Sequence, residues 1–375
     1  MSTQNLPGGR RETKTYALYR RLKEDILQGA LAPGARLPSK RALADREGVS
    51  VITVENAYRQ LADEGYIRPR ERSGYYVRPI ENVPAPPAAD HPPLRRLPEE
   101  PEPTEEGSFP TSVWFRTLRY VMSEYGPRLV ARSPGKGCAR LRNALADYLL
   151  RGRGMYAPPE RIVVGSGAEQ LYEIVVRLLG SRRVYGIEYP SYEPIEAVYT
   201  GFGAVVDHLA LGPRGIDSAA LSHTAADVLH VTPFHSWPTG ATADAPKRWE
   251  YLRWALAAPE RCIVEDDFDS EFSRSGTPLE TLYTMDKDQR VIYINTFSRS
   301  LAPSMRMGYM ILPEPLLRRY DELLGRRSCS VPLLEQYALA EFIASGDFER
   351  HLSRRRRQLT ESGEGRSRES KPAKD

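Results

Sequence analysis

Residues 291–309 read VIYINTFSRSLAPSMRMGY, and their order says more about the fold than any other stretch of the chain. Positions 291–295 form a short apolar run rich in β-branched residues, which predicts a buried strand. Thr296, Phe297 and Ser298 then open a loop, Arg299 follows, and Arg306 comes seven positions later, just before a second apolar run at 307–312. A strand that ends in hydroxyls and guanidiniums places hydrogen-bond donors where α/β sheets bind their ligands. Arginine keeps its proton in proteins and forks well onto carboxylates and phosphates. It has no free amine with which to attack a carbonyl.

Outward from this stretch, apolar runs recur at 161–165, 183–187, 204–209, 228–232 and 262–265, separated by helical-period segments. Together with 291–295 and 307–312 they predict an α/β fold with a mostly parallel, seven-stranded sheet. A length of 375 residues, 41% hydrophobic and 27% charged, suits a globular protein with room for two domains. Cys138, Cys262 and Cys329 are scattered with no CxxC pair, which argues against a disulfide framework and against a zinc site. No run approaches the roughly 18 apolar residues of a membrane span, and no signal-peptide pattern opens the chain. The expected location is cytoplasmic, with no membrane partner and no metal.

Charge is uneven. Residues 1–80 hold 15 Lys/Arg against 9 Asp/Glu, a surplus of six, while the rest of the chain is acidic until its basic end. In the basic segment Leu18, Leu22 and Ile26 repeat at helical spacing, ending at Gly29. A second helix starts at Pro38-Ser39, Gly48-Val49 makes a turn, and Ser50 caps a third helix carrying Val54, Ala57, Tyr58 and Leu61. Residues 65–67 and 75–77 are expected to be strands around a charged turn at 69–74. Two short helices with a tight turn and a wing make a DNA-reading module, whose second helix of the pair enters the major groove.

The pieces LAPGARLPSKRALA (31–44), GVSVITVENAYRQLADEGYI (48–67) and Gly74 resemble the GntR-type winged helix-turn-helix. The resemblance implies that Ser39, Lys40 and Arg41 meet phosphates or bases. It also implies that Ser50, Val51 and Thr53 start the recognition helix and that Ser73 and Gly74 approach the minor groove. Val51 stands where the family often has arginine, and could meet a thymine methyl. Taken with the body, residues 13–358 resemble the MocR-type branch of these regulators, in which the winged helix is fused to a fold-type I aminotransferase-like domain. The implied organisation is a DNA-binding domain at 10–79, a proline-rich linker at 80–108, an aminotransferase class I/II-like domain at 109–359 and a disordered tail at 360–375.

The body motifs carry that likeness in order. By resemblance, VVGSGAEQLYEI (163–174) is the loop that receives the phosphate of pyridoxal 5'-phosphate (PLP), through the backbone of Ala168 and Glu169. EYPSYEP (188–194) places Tyr192 over the cofactor ring, and TPFHSWPTG (232–240) brings His235 beside it. VEDDFDSEF (264–272) places Asp266 against the ring nitrogen, although Asp266-Asp267 alone also reads as a solvated strand end. Thr296, Ser298 and Arg306 are the remaining phosphate ligands.

Two family groups are absent: the lysine that forms the Schiff base is Arg299, and a tyrosine two positions after Asp266 is Phe268. No catalytic residue is therefore assigned, and PLP would be held non-covalently. Among the eight lysines, Lys136 in SPGKGCARLR is the one whose segment is expected to approach the site. The basic stretch FERHLSRRRRQL (348–359) reads as the exposed face of a helix, and the small domain of related bodies is expected to be missing. The expected function is a transcription regulator that binds an operator, senses PLP or an amino-acid-like effector and pairs as a homodimer. The alternative is an aminotransferase that uses a surrogate lysine.

Overall fold

The basic segment folds because its helices are closed by residues suited to their ends. The structure, a computed structural model, describes residues 13–71, 73–79, 109–268, 270–272 and 279–361, and divides into two units, 1–101 and 102–375. In the first unit, α1 (Lys14–Leu27), α2 (Lys40–Glu47) and α3 (Val51–Asp63) precede a ribbon of β1 (Ile67–Arg70) and β2 (Gly74–Val77). Ser39 caps α2 by accepting from the Ala42 N–H, and Gly48 ends it in the left-handed conformation at φ 62°. Ser50 caps α3 by accepting from the Thr53 N–H at 3.1 Å. Leu22, Leu43, Val54, Tyr58 and Leu61 form the core, and the Tyr58 hydroxyl donates to the Pro38 carbonyl at 2.9 Å.

The wing departs from expectation. β1 runs on through Pro69 to Arg70, with Pro69 opposite Tyr75 and Arg70 opposite Gly74, so the ribbon is longer than expected. A proline lacks only the N–H, and a two-stranded ribbon has a free edge toward which that missing donor can face. The expected linker at 80–108 and most of the expected tail lie outside the described residues.

The second unit is built on one sheet, of β3 (Ile162–Gly165), β4 (Val184–Tyr189), β5 (Val205–Gly212), β6 (Gly215–Ile216), β7 (Val228–Val231), β8 (Cys262–Asp266), β9 (Val291–Thr296) and β10 (Gly308–Ile311). Their order is β3-β10-β9-β8-β7-β4-β5-β6. Among the described residues the sheet has eight strands, not seven: β6, two residues long and antiparallel to β5, is too short to leave an apolar period in the sequence. β10 also runs against its neighbours, and the other strands point one way. Side chains alternate across the pleat. Ile162, Val164, Tyr293 and Ile311 pack with α4 (Thr111–Tyr125), α5 (Ala139–Arg153), α13 (Leu333–Ala344) and α14 (Asp347–Glu361). Val163, Ile187, Ile292 and Met310 face α6 (Ala168–Leu179), α7 (Glu193–Gly201) and α12 (Glu314–Leu323). A third cluster gathers α8 (Ser218–His223), α9 (Ala245–Leu256) and α10 (Leu282–Met285) against β5, β7 and β8, while α11 (Phe297–Ser300) follows β9.

A buried polar network holds the end of β8. Arg153 pairs with Asp267 at 2.7 Å, the two side chains being 3% and 0% exposed. The Tyr293 and Ser270 hydroxyls donate to the same carboxylate, and Asn295 donates to Glu271 at 2.9 Å. Removing one member of such a pair leaves a bare buried charge, which typically costs about 3–5 kcal/mol. Arg153→Ala should lower the stability of the body by that order, read as a drop in urea midpoint.

Two further carboxyls resist ionisation. Glu188, next to last in β4, accepts from the Ser236 hydroxyl at 2.5 Å, and burial pushes it up to about 8. Glu265 accepts from the Leu282 and Tyr283 N–H groups, and burial likewise pushes it up to about 8. The folded body holds these protons where the unfolded chain, near the ordinary 4.5, has released them. Their contribution is complete below the unfolded value and is lost as pH rises through the folded one. Glu188→Gln stays neutral throughout, so its urea midpoint should fall less between about pH 5 and pH 8 than that of the unaltered chain.

Candidate functional site

In the first unit, the residues singled out from the sequence gather at α2, α3 and the wing. Arg41, Ser50 and Val51 are exposed, while Ser39 and Ser50 spend their acceptors on capping. The Ser50 and Thr53 hydroxyls also share a 2.8 Å hydrogen bond. Lys40 pairs with Glu55 at 2.7 Å and lies 5.9 Å from the Tyr75 ring, so its charge is held within the module. That pairing raises the lysine pKa and lowers the glutamate's, each mainly through their shared hydrogen bond. At the wing Gly74 takes φ +105°, the Ser73 hydroxyl bonds the Tyr76 hydroxyl at 2.7 Å, and Arg70 stacks on the Tyr76 ring at 4.5 Å.

In the second unit, the ends of β3, β8 and β9 hold the remaining candidates. β3 leads through Gly165, Ser166 and Gly167 into α6, whose N-terminus no side chain caps. Gly167 sits at φ +92°, and a Cβ there would lie 3.2 Å from the Arg306 guanidinium. Only glycine both adopts that backbone easily and lets the arginine approach so closely. Arg306 reaches Glu169 at 3.2 Å, an exposed pair that stability alone explains poorly. Thr296 precedes α11 and Ser298 lies within it, half-buried. Open N–H groups at a helix start beside a guanidinium suit a phosphate.

Asp266 is not a solvated strand end: it is 7% exposed and its neighbour Asp267 is fully buried. The Tyr172 hydroxyl donates to Asp266, and burial followed by that carboxylate holds the phenol well above its usual range. His230 Nε2 is buried without a hydrogen-bond partner, 3.7 Å from Asp266, while Nδ1 bonds the Tyr199 hydroxyl at 2.6 Å. A carboxylate with a short partner on one side and an unsatisfied imidazole nitrogen nearby fits a ring nitrogen that must be held and kept charged. Tyr192 is 46% exposed at the start of α7, near enough to Tyr172 to add to its raised pKa. His235 is on an exposed loop at φ +52°, with its N–H donating to Thr242.

Arg299 lies 5.3 Å from the Phe268 ring and 5.8 Å from Phe272. The two departures from the family pattern thus touch each other, because a guanidinium stacks on a phenyl face. Lys136 does not reach this place. It pairs with Asp321 of α12 at 2.9 Å and lies over the Tyr320 ring. The basic run of α14 is also only partly exposed: Arg356 donates to the Glu271 carbonyl at 2.5 Å, and Arg355 stacks on Phe272 at 5.8 Å. A concavity of about 400 Å³, lined by Tyr156, Arg161, Gln289 and Glu314, lies at the opposite ends of the strands. Sequence reasoning missed Tyr172, His230 and Arg153. The available signals were a histidine inside the apolar run at 228–232 and a basic residue closing the α5 pattern.

Residues 14–77 match the family "Bacterial regulatory proteins, gntR family", and residues 123–364 match "Aminotransferase class I and II". The chain is 32% identical over 354 residues to the uncharacterized HTH-type transcriptional regulator YdeL of Bacillus subtilis, covering 91% of this chain and 75% of that one. It is 32% identical over 348 residues to the pyridoxine biosynthesis transcriptional regulator PdxR of Corynebacterium glutamicum, with 91% and 75% covered. It is 32% identical over 372 residues to the probable rhizopine catabolism regulatory protein MocR of Rhizobium meliloti, with 92% and 74% covered. An archaeal alanine:glyoxylate aminotransferase shares the fold at a TM-score of 0.59 and 23% identity, over 65% of this chain. This chain spans 62% of that enzyme's length. The chain belongs to the GntR-type helix-turn-helix transcriptional regulators of the MocR and PdxR kind, which join that DNA-binding domain to an aminotransferase class I and II domain.

Proposed function

We propose that this regulator binds its operator through the winged helix and uses the body as a non-covalent receptor for PLP or an amino-acid-like effector, without transaminase activity. The carrying observation is Arg299, stacked on Phe268 and Phe272 beside a cup whose Gly167, Arg306 and Asp266 remain in place. Arg306 and the first N–H groups of α6 would hold a phosphate. Asp266, positioned by Tyr172, would accept from a protonated ring nitrogen, with Tyr192 and His235 at the ring's sides. When bound, PLP supplies an anionic phosphate and an electron-withdrawing pyridine ring bearing an aldehyde. Arg299 carries a guanidinium and no free amine, so it offers no nucleophile to the aldehyde. The Lys136–Asp321 pair supports the same reading, because it engages the lysine considered as a surrogate. One relative is named a regulator of pyridoxine biosynthesis, a vitamer of the same ring chemistry. Residues 10–79 serve as the reading head and 109–359 as the receptor, working as a homodimer in the cytoplasm.

Absorbance titration of the full chain with PLP, then borohydride treatment and mass analysis, tests the receptor. Saturable binding without a covalent adduct is expected, and an adduct on any lysine would overturn the non-covalent reading. Arg306→Ala should weaken that binding by about tenfold to a hundredfold, the usual value of a charge-assisted contact. In a gel-shift series across salt concentrations, Arg41→Ala should weaken operator binding and lower the salt slope by about one. An unchanged slope would remove Arg41 from the phosphate contacts.

A further inference from the structure

The outer face of α3 carries two large apolar side chains that packing does not explain. Val51 is 40% exposed and Ile52 69% exposed, whereas Val54, Ala57, Tyr58 and Leu61 on the inner side are each 0% exposed. β-Branched residues lower helix propensity slightly, and their exposure gains no core. One turn on, the same outer face presents exposed Asn56 and then Arg59. No Lys or Arg occurs in 51–58, and Lys40 of α2 is bound to Glu55 at 2.7 Å.

In the major groove guanine is most often read by Arg or Lys, and adenine by Asn or Gln. Thymine alone offers an apolar methyl group. The first two turns of α3 hold no cation for guanine, an amide suited to adenine and two apolar groups suited to methyls. We infer that α3 reads A·T pairs, with Val51 and Ile52 against thymine methyls and Asn56 on the N6 and N7 edge of adenine. The surplus of six positive charges in residues 1–80, with Arg41 and Arg59 exposed, supplies the complementary charge toward phosphates. This inference rests on the winged helix binding DNA, as read above.

The test starts from duplexes selected by the full chain out of a random pool, where the enriched half-sites should carry T·A pairs. Each selected duplex is then remade with deoxyuridine for thymine, which deletes the methyl and leaves the pairing intact. Each methyl that is read should account for about a fourfold loss of affinity, the value of burying one such group. The double variant Val51→Ala, Ile52→Ala should bind both duplexes equally, at the weaker level, with an unaltered melting temperature because both side chains are exposed. Asn56→Ala should relax the preference for adenine at its position in a repeated selection. Equal affinity of the unaltered chain for thymine and deoxyuridine duplexes would overturn the inference. So would a double variant that weakens yet keeps the full deoxyuridine effect, since the apolar pair would then act between proteins. Enrichment of no duplex at all would instead sink the DNA-binding reading, and this inference with it.

Discussion

Extended backbone at the end of β8 turns consecutive side chains to opposite faces, so Asp266 and Asp267 must be neutralised by different partners. Asp267 goes to Arg153 of α5 and to Tyr293 and Ser270, a charge fully paired within the protein. Asp266 goes to Tyr172 of α6 and stands near the unsatisfied His230. An ionised carboxylate in a low-dielectric interior is costly without a partner. Asp267 is thus structural ballast for α5, β8 and β9, and Asp266 is the carboxylate proposed above to meet an incoming cation. The cup at β3 and α6 and the strand end at β9 take their positions from the same sheet.

The relation between Arg299 and Phe268 gives the loss of the lysine a physical shape. A guanidinium is larger than an ammonium, planar and weakly hydrated, and it lies comfortably over an aromatic face. With a phenyl ring at 268 instead of a phenol, no hydroxyl competes for that face. Around this exchanged pair the phosphate-side features stand unaltered: Gly167 in its positive-φ conformation, Arg306 packed on it, and α6 without a side-chain cap. The groups proposed to hold an anion are present, while position 299 offers no amine to bond a carbonyl.

In the DNA-reading unit, selectivity depends equally on what is sequestered. Lys40 looks like a phosphate contact in the sequence, yet Glu55 holds it at 2.7 Å. Sequence proximity cannot reveal that pairing, because the partners are on different helices. What remains exposed on the first two turns of α3 is apolar and amide chemistry, in Val51, Ile52 and Asn56.

Much of the architecture was legible from periodicity alone. Seven apolar runs became strands, and Ser39, Ser50 and Gly48 closed the helices as their chemistry demands. Such signals are local: a cap or an alternation needs only neighbours a few residues away. The two-residue β6, the antiparallel pairing of Pro69 within the wing and the burial of both aspartates were not legible. The tethering of Lys136 to Asp321 joins residues 185 positions apart, and Arg153 meets Asp267 across 114. By itself the sequence determined which chemical groups exist, above all that position 299 carries a guanidinium and no amine. Only the tertiary structure decided which charges are already neutralised and which are left to meet a ligand, because pairing depends on distances that chain folding alone creates.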